Sequence, residues 1–255
     1  MAEPVNNTLM ERSGNREKPL LVIADTDASH LYYASTMLQR LDYNIYTTKT
    51  AAGVLELLDV AEPALVLTDV SLDGSADGLE LLRKIKRNPR ARSIPVIFLT
   101  SSRDRAIQDA CTREGCAAYL QKPLDPDILY AAIQKATETS PRQYIRLSTC
   151  LNVIVGDETD PANLDAGDCV TALSEHGMYV STQRPRPTGS LVPFTILFGG
   201  TRIPIEGSVL YSFKHGEGPL KTSGMGVKFT RIGPEEQGKI KAFIRRAIVK
   251  GLHLK

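Results

Sequence analysis

The chain of 255 residues carries 31 Lys plus Arg against 29 Asp plus Glu, a formal net charge of +2. That balance excludes a strongly basic nucleic-acid coat protein and an acidic disordered tail. Hydrophobic residues at 42% and charged residues at 24% are ordinary globular usage, enough to bury a sizeable core.

The near-neutral total is a sum of opposites. Residues 1–138 carry net −3 and residues 139–255 net +5, and only 5 of the 19 glycines precede residue 139. Two domains are expected, a helix-rich half followed by a turn-rich β half. The first 18 residues are polar and read as a disordered tail, with no apolar core of signal-peptide length. No run in the chain reaches the roughly 18 apolar residues of a membrane span, so a cytoplasmic protein is expected. Cys111, Cys116, Cys150 and Cys169 form no C-x-x-C pair, and His30, His176, His215 and His253 are scattered, so no zinc framework is visible.

From Leu20 the pattern is strand then helix, repeated. An apolar run at Leu20–Ala24 precedes a helical period over residues 29–41. Asn44–Thr47 precedes 51–59, Ala64–Thr68 precedes 79–87, Pro95–Leu99 precedes 103–114, and Ala117–Leu120 precedes 125–138. Five βα units predict a doubly wound α/β fold, flavodoxin-like, with a five-stranded parallel sheet. Runs such as Ala-Leu-Val-Leu-Thr are apolar without alternation, which suits strands covered on both faces.

Ligands in such folds bind beyond the carboxyl ends of the strands. Those positions hold Asp25 and Asp27, Asp69, Thr100 and Lys122. No G-x-G-x-x-G or P-loop opens any helix, which argues against a dinucleotide or NTP enzyme. Clustered carboxylates repel unless a hard cation joins them, and Mg²⁺ on one or two carboxylates plus waters is the common solution. A metal-bound Asp69 is a carboxylate nucleophile toward a phosphoryl donor, with Lys122 and Thr100 placed to hold the added oxygens.

These residues carry a resemblance over about Pro19 to Glu138. LVIADTD, LVLTDVSLDGSADGLELL, IPVIFLTSS and AAYLQKP resemble, in order and spacing, the receiver domain of two-component response regulators. The resemblance implies a phosphoacceptor at Asp69, phosphoryl contacts from Thr100 and Lys122, a cis Lys122-Pro123 peptide, and Tyr119 as an aromatic switch. It implies Mg²⁺ held by Asp25 and Asp69, and a sensor histidine kinase as partner. Thr26 stands where the family has a second acid, so weaker Mg²⁺ binding is expected, with Asp27 as an imperfect substitute. The loop after Asp69 reads one residue longer than usual, with Asp73 where proline is frequent.

Thr139-Ser140-Pro141 breaks the pattern, giving a receiver over 19–138 and a linker over 139–146. Residues 147–255 then read as a small all-β barrel with a C-terminal helix. Strands are expected at Leu151–Val155, Asp168–Leu173, Met178–Ser181, Leu191–Phe198, Ile203–Phe213 and Gly226–Thr230. Gly233-Pro234-Glu235-Glu236 opens an amphipathic helix whose Lys and Arg residues read as a solvated face over the barrel rather than a nucleic-acid stripe.

Arg142-x-x-x-Arg146, Ser174-x-x-Gly177 and Gly224-x-Gly-Val-Lys-Phe229, in this strand order, resemble a PilZ domain. The resemblance implies cyclic di-GMP as ligand, with Arg142, Arg146, Ser174 and Gly177 as binding residues. Guanidinium groups suit it, since they pair bidentately with phosphate or a guanine edge and stack on bases. Ala172 occupies the position where that family has Asp or Asn. The leading expectation is therefore a non-enzymatic response regulator with a cyclic di-GMP-binding output. The alternative is an adaptor with degenerate receiver and barrel that acts through an unidentified downstream protein.

Overall fold

A computed structural model describes residues 18–72, 77–157, 167–218 and 221–252. Packing divides them into two compact units, one of residues 18–147 with 242–252 and the other of residues 148–241.

The first unit alternates strand and helix: β1 (Leu20–Ala24), α1 (Ala28–Gln39), β2 (Asn44–Thr48), α2 (Ala51–Val60), β3 (Leu65–Thr68), α3 (Gly78–Arg87), β4 (Val96–Thr100), α4 (Arg105–Arg113), β5 (Ala118–Gln121) and α5 (Pro126–Thr137). Each helix starts where a short polar side chain takes up free amide groups of its first turn. Asp27, Thr50, Asp77, Asp104 and Asp125 are the N-caps, and Pro126 fills the first position of α5. The strands pair in parallel in the order β2-β1-β3-β4-β5. Every residue of β3 and β4 is buried, as the unbroken apolar runs require. One face of the sheet packs Val22, Val66, Val96 and Phe98 with Val54, Leu82 and Ile85 from the helices. The edge strand β2 is mostly exposed.

The second unit contains β6 (Leu147–Val155), β7 (Cys169–Ser174), β8 (Gly177–Ser181), β9 (Leu191–Phe198), β10 (Thr201–Phe213) and β11 (Gly224–Arg231). They close into a barrel in the order β10-β11-β8-β7-β6-β9, which leaves no open edge. Val192, Phe194 and Ile196 point inward from β9, and Ile203, Ile205 and Val209 from β10. Gly207 lies on the same inward row. A β carbon there would meet Val227 Cγ1 at 2.4 Å, so the approach of β11 leaves room only for glycine. Register shifts between Glu206 and Gly207 and between Val209 and Tyr211 mark bulges where β10 bends around the barrel. The first barrel strand starts at Leu147 rather than Leu151, directly after Arg146.

The last helix, α6 (Pro234–Val249), was expected to belong wholly to the barrel. Its residues 234–241 pack with the barrel unit, and residues from Ala242 onward pack with the α/β unit. Ile240, Ile244 and Ile248 form its buried stripe.

Candidate functional site

The carboxyl ends of β1, β3, β4 and β5 bring Asp25, Asp69, Thr100 and Lys122 to one edge of the sheet. Parallel strands end on the same side, so residues far apart in sequence meet there. Asp69 follows β3, and its backbone N–H donates to the Ala24 carbonyl at 2.9 Å, fixing the two acids side by side. Lys122 Nζ donates to Asp25 Oδ2 at 2.5 Å and also to Asp69 Oδ2. Only 5% of the Lys122 side chain is exposed, against 5% for Asp25 and 14% for Asp69. An ammonium so nearly dry is held by its two carboxylates, and removing the lysine would leave both of them uncompensated at a nearly buried site.

The remaining Asp oxygens are occupied by main chain. Asp25 Oδ1 accepts from Asp27 N at 2.9 Å, and Asp69 Oδ1 accepts from Ser71 N at 3.1 Å. Thr100 is buried at 2% exposure, and its Oγ1 accepts from Ser102 N at 3.1 Å. The Lys122 N–H donates to the Thr100 carbonyl at 2.8 Å, which ties the two strand ends together. Lys122-Pro123 is cis.

Tyr119 lies on β5 with its ring centroid 6.5 Å from that of Phe98, and its hydroxyl reaches the Ser102 carbonyl at 3.5 Å. Burial raises its phenol above the ordinary tyrosine value, an effect partly offset by the Thr100 hydroxyl.

Asp27 takes a different course. Its Oδ1 accepts from Ser29 N at 2.7 Å and from His30 N at 3.2 Å, so the carboxylate closes the first turn of α1. Those amides hold its pKa below the ordinary carboxylate value. Among the described residues no three His, Cys, Asp or Glu side chains are grouped as metal ligands. Asp25 and Asp69 stand side by side at the strand ends, and two carboxylates completed by carbonyl oxygens and water would be a donor set of the kind Mg²⁺ takes.

One feature of this edge was not singled out from sequence. His30 Nδ1 is buried without a hydrogen-bond partner, 3.9 Å from Asp25 Oδ2 and 3.6 Å from Asp27 Oδ2. A lone histidine early in a helix gives no signal of this. Gly78 closes the loop after Asp69: its N–H donates to the Val70 carbonyl at 2.7 Å, and a β carbon on it would fall 2.2 Å from the Asp69 carbonyl oxygen. The Asp77-Gly78 pair is read from the sequence as the close of this loop, and the structure gives the reason that glycine stands there. Asp73 lies outside the described residues.

The second set of expected site residues is divided between the units. Arg142 and Arg146 are exposed in the first, and the Arg142 N–H donates to Gln134 Oε1 at 3.2 Å. Ser174 and Gly177 belong to the second, where they bound the β7–β8 hairpin as a paired position, and Ser174 Oγ donates to the Gly177 carbonyl at 3.0 Å. A β carbon at Gly177 would stand 2.6 Å from the Val227 carbonyl oxygen. Ala172 pairs with Tyr179, beside a register shift after Val170.

The end of the flavodoxin-like sheet thus holds a buried lysine between two aspartates, with a hydroxyl on the neighbouring strand. Residues 21–134 match the family model of the response regulator receiver domain. Residues 21–134 are thus a response regulator receiver domain, a module of two-component signal transduction.

The chain is 29% identical over 135 residues to response regulator Rre1 of Synechocystis, covering 52% of each chain. It is 32% identical over 120 residues to the transcriptional regulatory protein GlrR of Escherichia coli, covering 47% of this chain and 26% of that protein. It spans about half the length of the first relative and about a quarter of the second. Among solved structures, the signal receiver domain of an HD domain-containing protein from Pseudomonas fluorescens matches at 28% identity and TM-score 0.44, covering 47% of this chain and 94% of that one. Among the described residues no helix is long and apolar enough to cross a membrane.

Proposed function

We propose that this receiver accepts a phosphoryl group on Asp69 and that the barrel, as output, binds cyclic di-GMP. The observation that carries the first part is Lys122 Nζ bridging Asp25 and Asp69, with Thr100 at the adjacent strand end. The free carboxylate electron pair of Asp69 attacks phosphorus, the bond from phosphorus to its carrier breaks, and the carrier leaves with that electron pair. Lys122 and the Thr100 hydroxyl then hold the phosphoryl oxygens, whose added charge is about −2. Asp25 and Asp69 would hold Mg²⁺, which would supply further charge neutralisation, and Thr26 in place of a second acid would weaken that hold. Tyr119, packed against the Thr100 side, is the residue that reorients with it.

Incubation with acetyl phosphate and Mg²⁺ followed by intact mass tests this reading. One phosphoryl adduct is expected on wild type and none on Asp69→Ala. An equal adduct on Asp69→Ala overturns it. Thr26→Asp should lower the Mg²⁺ concentration needed for half-maximal adduct, whereas Asp27→Asn should leave it unchanged.

Support for the cyclic di-GMP output is the closed barrel together with Arg142, Arg146, Ser174 and Gly177. Ala172 deprives a base of one polar partner, a cost of about 1–3 kcal/mol. That corresponds to roughly 5- to 150-fold in affinity. One observation favours the second reading, a protein-binding adaptor: Ser174 and Gly177 already serve to close the β7–β8 hairpin. Calorimetry with cyclic di-GMP separates the two. Binding by wild type that is lost in Arg146→Ala supports the receptor, and binding that emerges only in Ala172→Asp supports the adaptor.

A further inference from the structure

The end of α6 and the segment after it are held by the receiver at both poles of charge. Arg245 Nε donates to Asp127 Oδ2 at 2.9 Å, its Nη2 donates to the same oxygen, and Nη2 also reaches Asp125 Oδ2 at 3.4 Å. On the other side Arg40, which ends α1, donates from Nη1 to the Ile248 carbonyl at 2.7 Å and to the Ala247 carbonyl at 3.4 Å. Those carbonyls belong to the last turn of α6, where no intrahelical donor remains. Ile244, Ile248 and Leu252 are buried along the same segment.

The two acids that hold Arg245 are also the start of α5. Asp125 divides its carboxylate: Oδ1 accepts from Asp127 N and Ile128 N as the N-cap, while Oδ2 faces Arg245. Asp125 in turn follows Lys122 across only Pro123 and Leu124, and Lys122 is the cation bridging Asp25 and Asp69. The route from the acidic pocket to Arg245 is therefore one short stretch of main chain and one carboxylate. The Arg245, Asp125 and Asp127 side chains are 46%, 40% and 37% exposed, so these ion pairs are screened and easily exchanged, unlike the buried pairs of the pocket.

We propose that residues 242–252 form a latch on the receiver, closed while Lys122 bridges Asp25 and Asp69 and opened when the pocket takes up a phosphoryl group. This rests on the phosphoacceptor reading of Asp69. The contact that differs between the two states is that of Lys122: a phosphoryl group beside it adds charge that draws Nζ away from Asp25. The 122–125 stretch moves with Lys122, and the Asp125 carboxylate moves from Arg245. The surface uncovered is acidic at Asp125 and Asp127, cationic at Arg40, and is vacated by the buried Ile244, Ile248 and Leu252, so it fits a partner that presents an arginine-bearing amphipathic helix.

Amide hydrogen exchange over residues 242–252, read in the full chain, tests the latch. Once intact mass shows the adduct on Asp69, exchange there should rise about fivefold. Arg245→Glu should show a similar rise with no phosphoryl donor, and Asp127→Arg in that background should restore slow exchange. An adduct without faster exchange, or an Arg245→Glu chain exchanging as slowly as wild type, overturns the latch while leaving the phosphoacceptor reading intact. If no adduct forms, the phosphoacceptor reading fails by itself. Lys122→Gln then decides the latch: faster exchange over 242–252 supports it and unchanged exchange overturns it. Should Lys122→Gln not fold, Asp25→Asn, which frees Lys122 from one carboxylate, is read in the same way.

Discussion

Asp25 and Asp27 are two residues apart and both acidic, yet one faces Lys122 and the other caps a helix. Sequence shows the acids but not the turn of main chain that sends them in different directions. The amide donors of Ser29 and His30 lower the Asp27 pKa, so its contribution is present above the ordinary carboxylate pKa and is lost as pH falls through the depressed folded value. Asp27→Ala should therefore be less stable than wild type at pH 7, and urea melts of the two chains should converge in strong acid. At Gly78 the added β carbon has no room beside the Asp69 carbonyl, so Gly78→Ala is expected to destabilise by about 2 kcal/mol or more and to slow adduct formation. The thiols are graded by the same physics. Burial pushes the Cys111 thiol up to about 11, whereas Cys150 lies exposed on β6. Alkylation of the native protein near pH 8 should label Cys150 first and Cys111 last, as peptide mass mapping would show.

At the scale of elements, the receiver was legible almost throughout because each device in it is local. Apolar runs of four or five residues, a capping Asp or Thr, and a helical period suffice for a βα unit, and parallel strands then bring Asp25, Asp69, Thr100 and Lys122 together without further information. The link between Tyr43 and α5 was not legible, since it joins residues 91 positions apart: Gln134 Nε2 donates to the Tyr43 hydroxyl at 3.0 Å, both buried. Burial pushes the Tyr43 phenol up to about 12, against about 10 when unfolded. A raised value means that the protonated form is favoured by folding, so stability holds below pH 10 and is lost between about 10 and 12. Tyr43→Phe should cost about 1–3 kcal/mol at neutral pH by leaving Gln134 without its acceptor, and should weaken the alkaline loss seen in urea melts. In the barrel, alternation located the strands, but the start of β6 at Leu147 was hidden by the exposed residues that follow it.

For the whole molecule, the charge division of net −3 and net +5 anticipated two bodies, and each has its own buried core. Phe194 is 1% exposed in the barrel, and Phe194→Ala is expected to cost about 3–5 kcal/mol. If the units unfold separately, scanning calorimetry of that variant should lower one transition and leave the other in place. What composition did not anticipate is the division of α6. Its stripe of Ile240, Ile244 and Ile248 tells which face is buried, but the same stripe serves either unit.

The division of that helix also bears on the order in which the chain is made. A receiver ending at the linker would emerge from the ribosome complete and ready to fold as a unit. Here its packing includes residues 242–252, which follow the entire barrel sequence. The first unit to be synthesised is thus finished by the last part described, and a fragment cut at residue 138 lacks both Arg245 and the carbonyls that Arg40 binds.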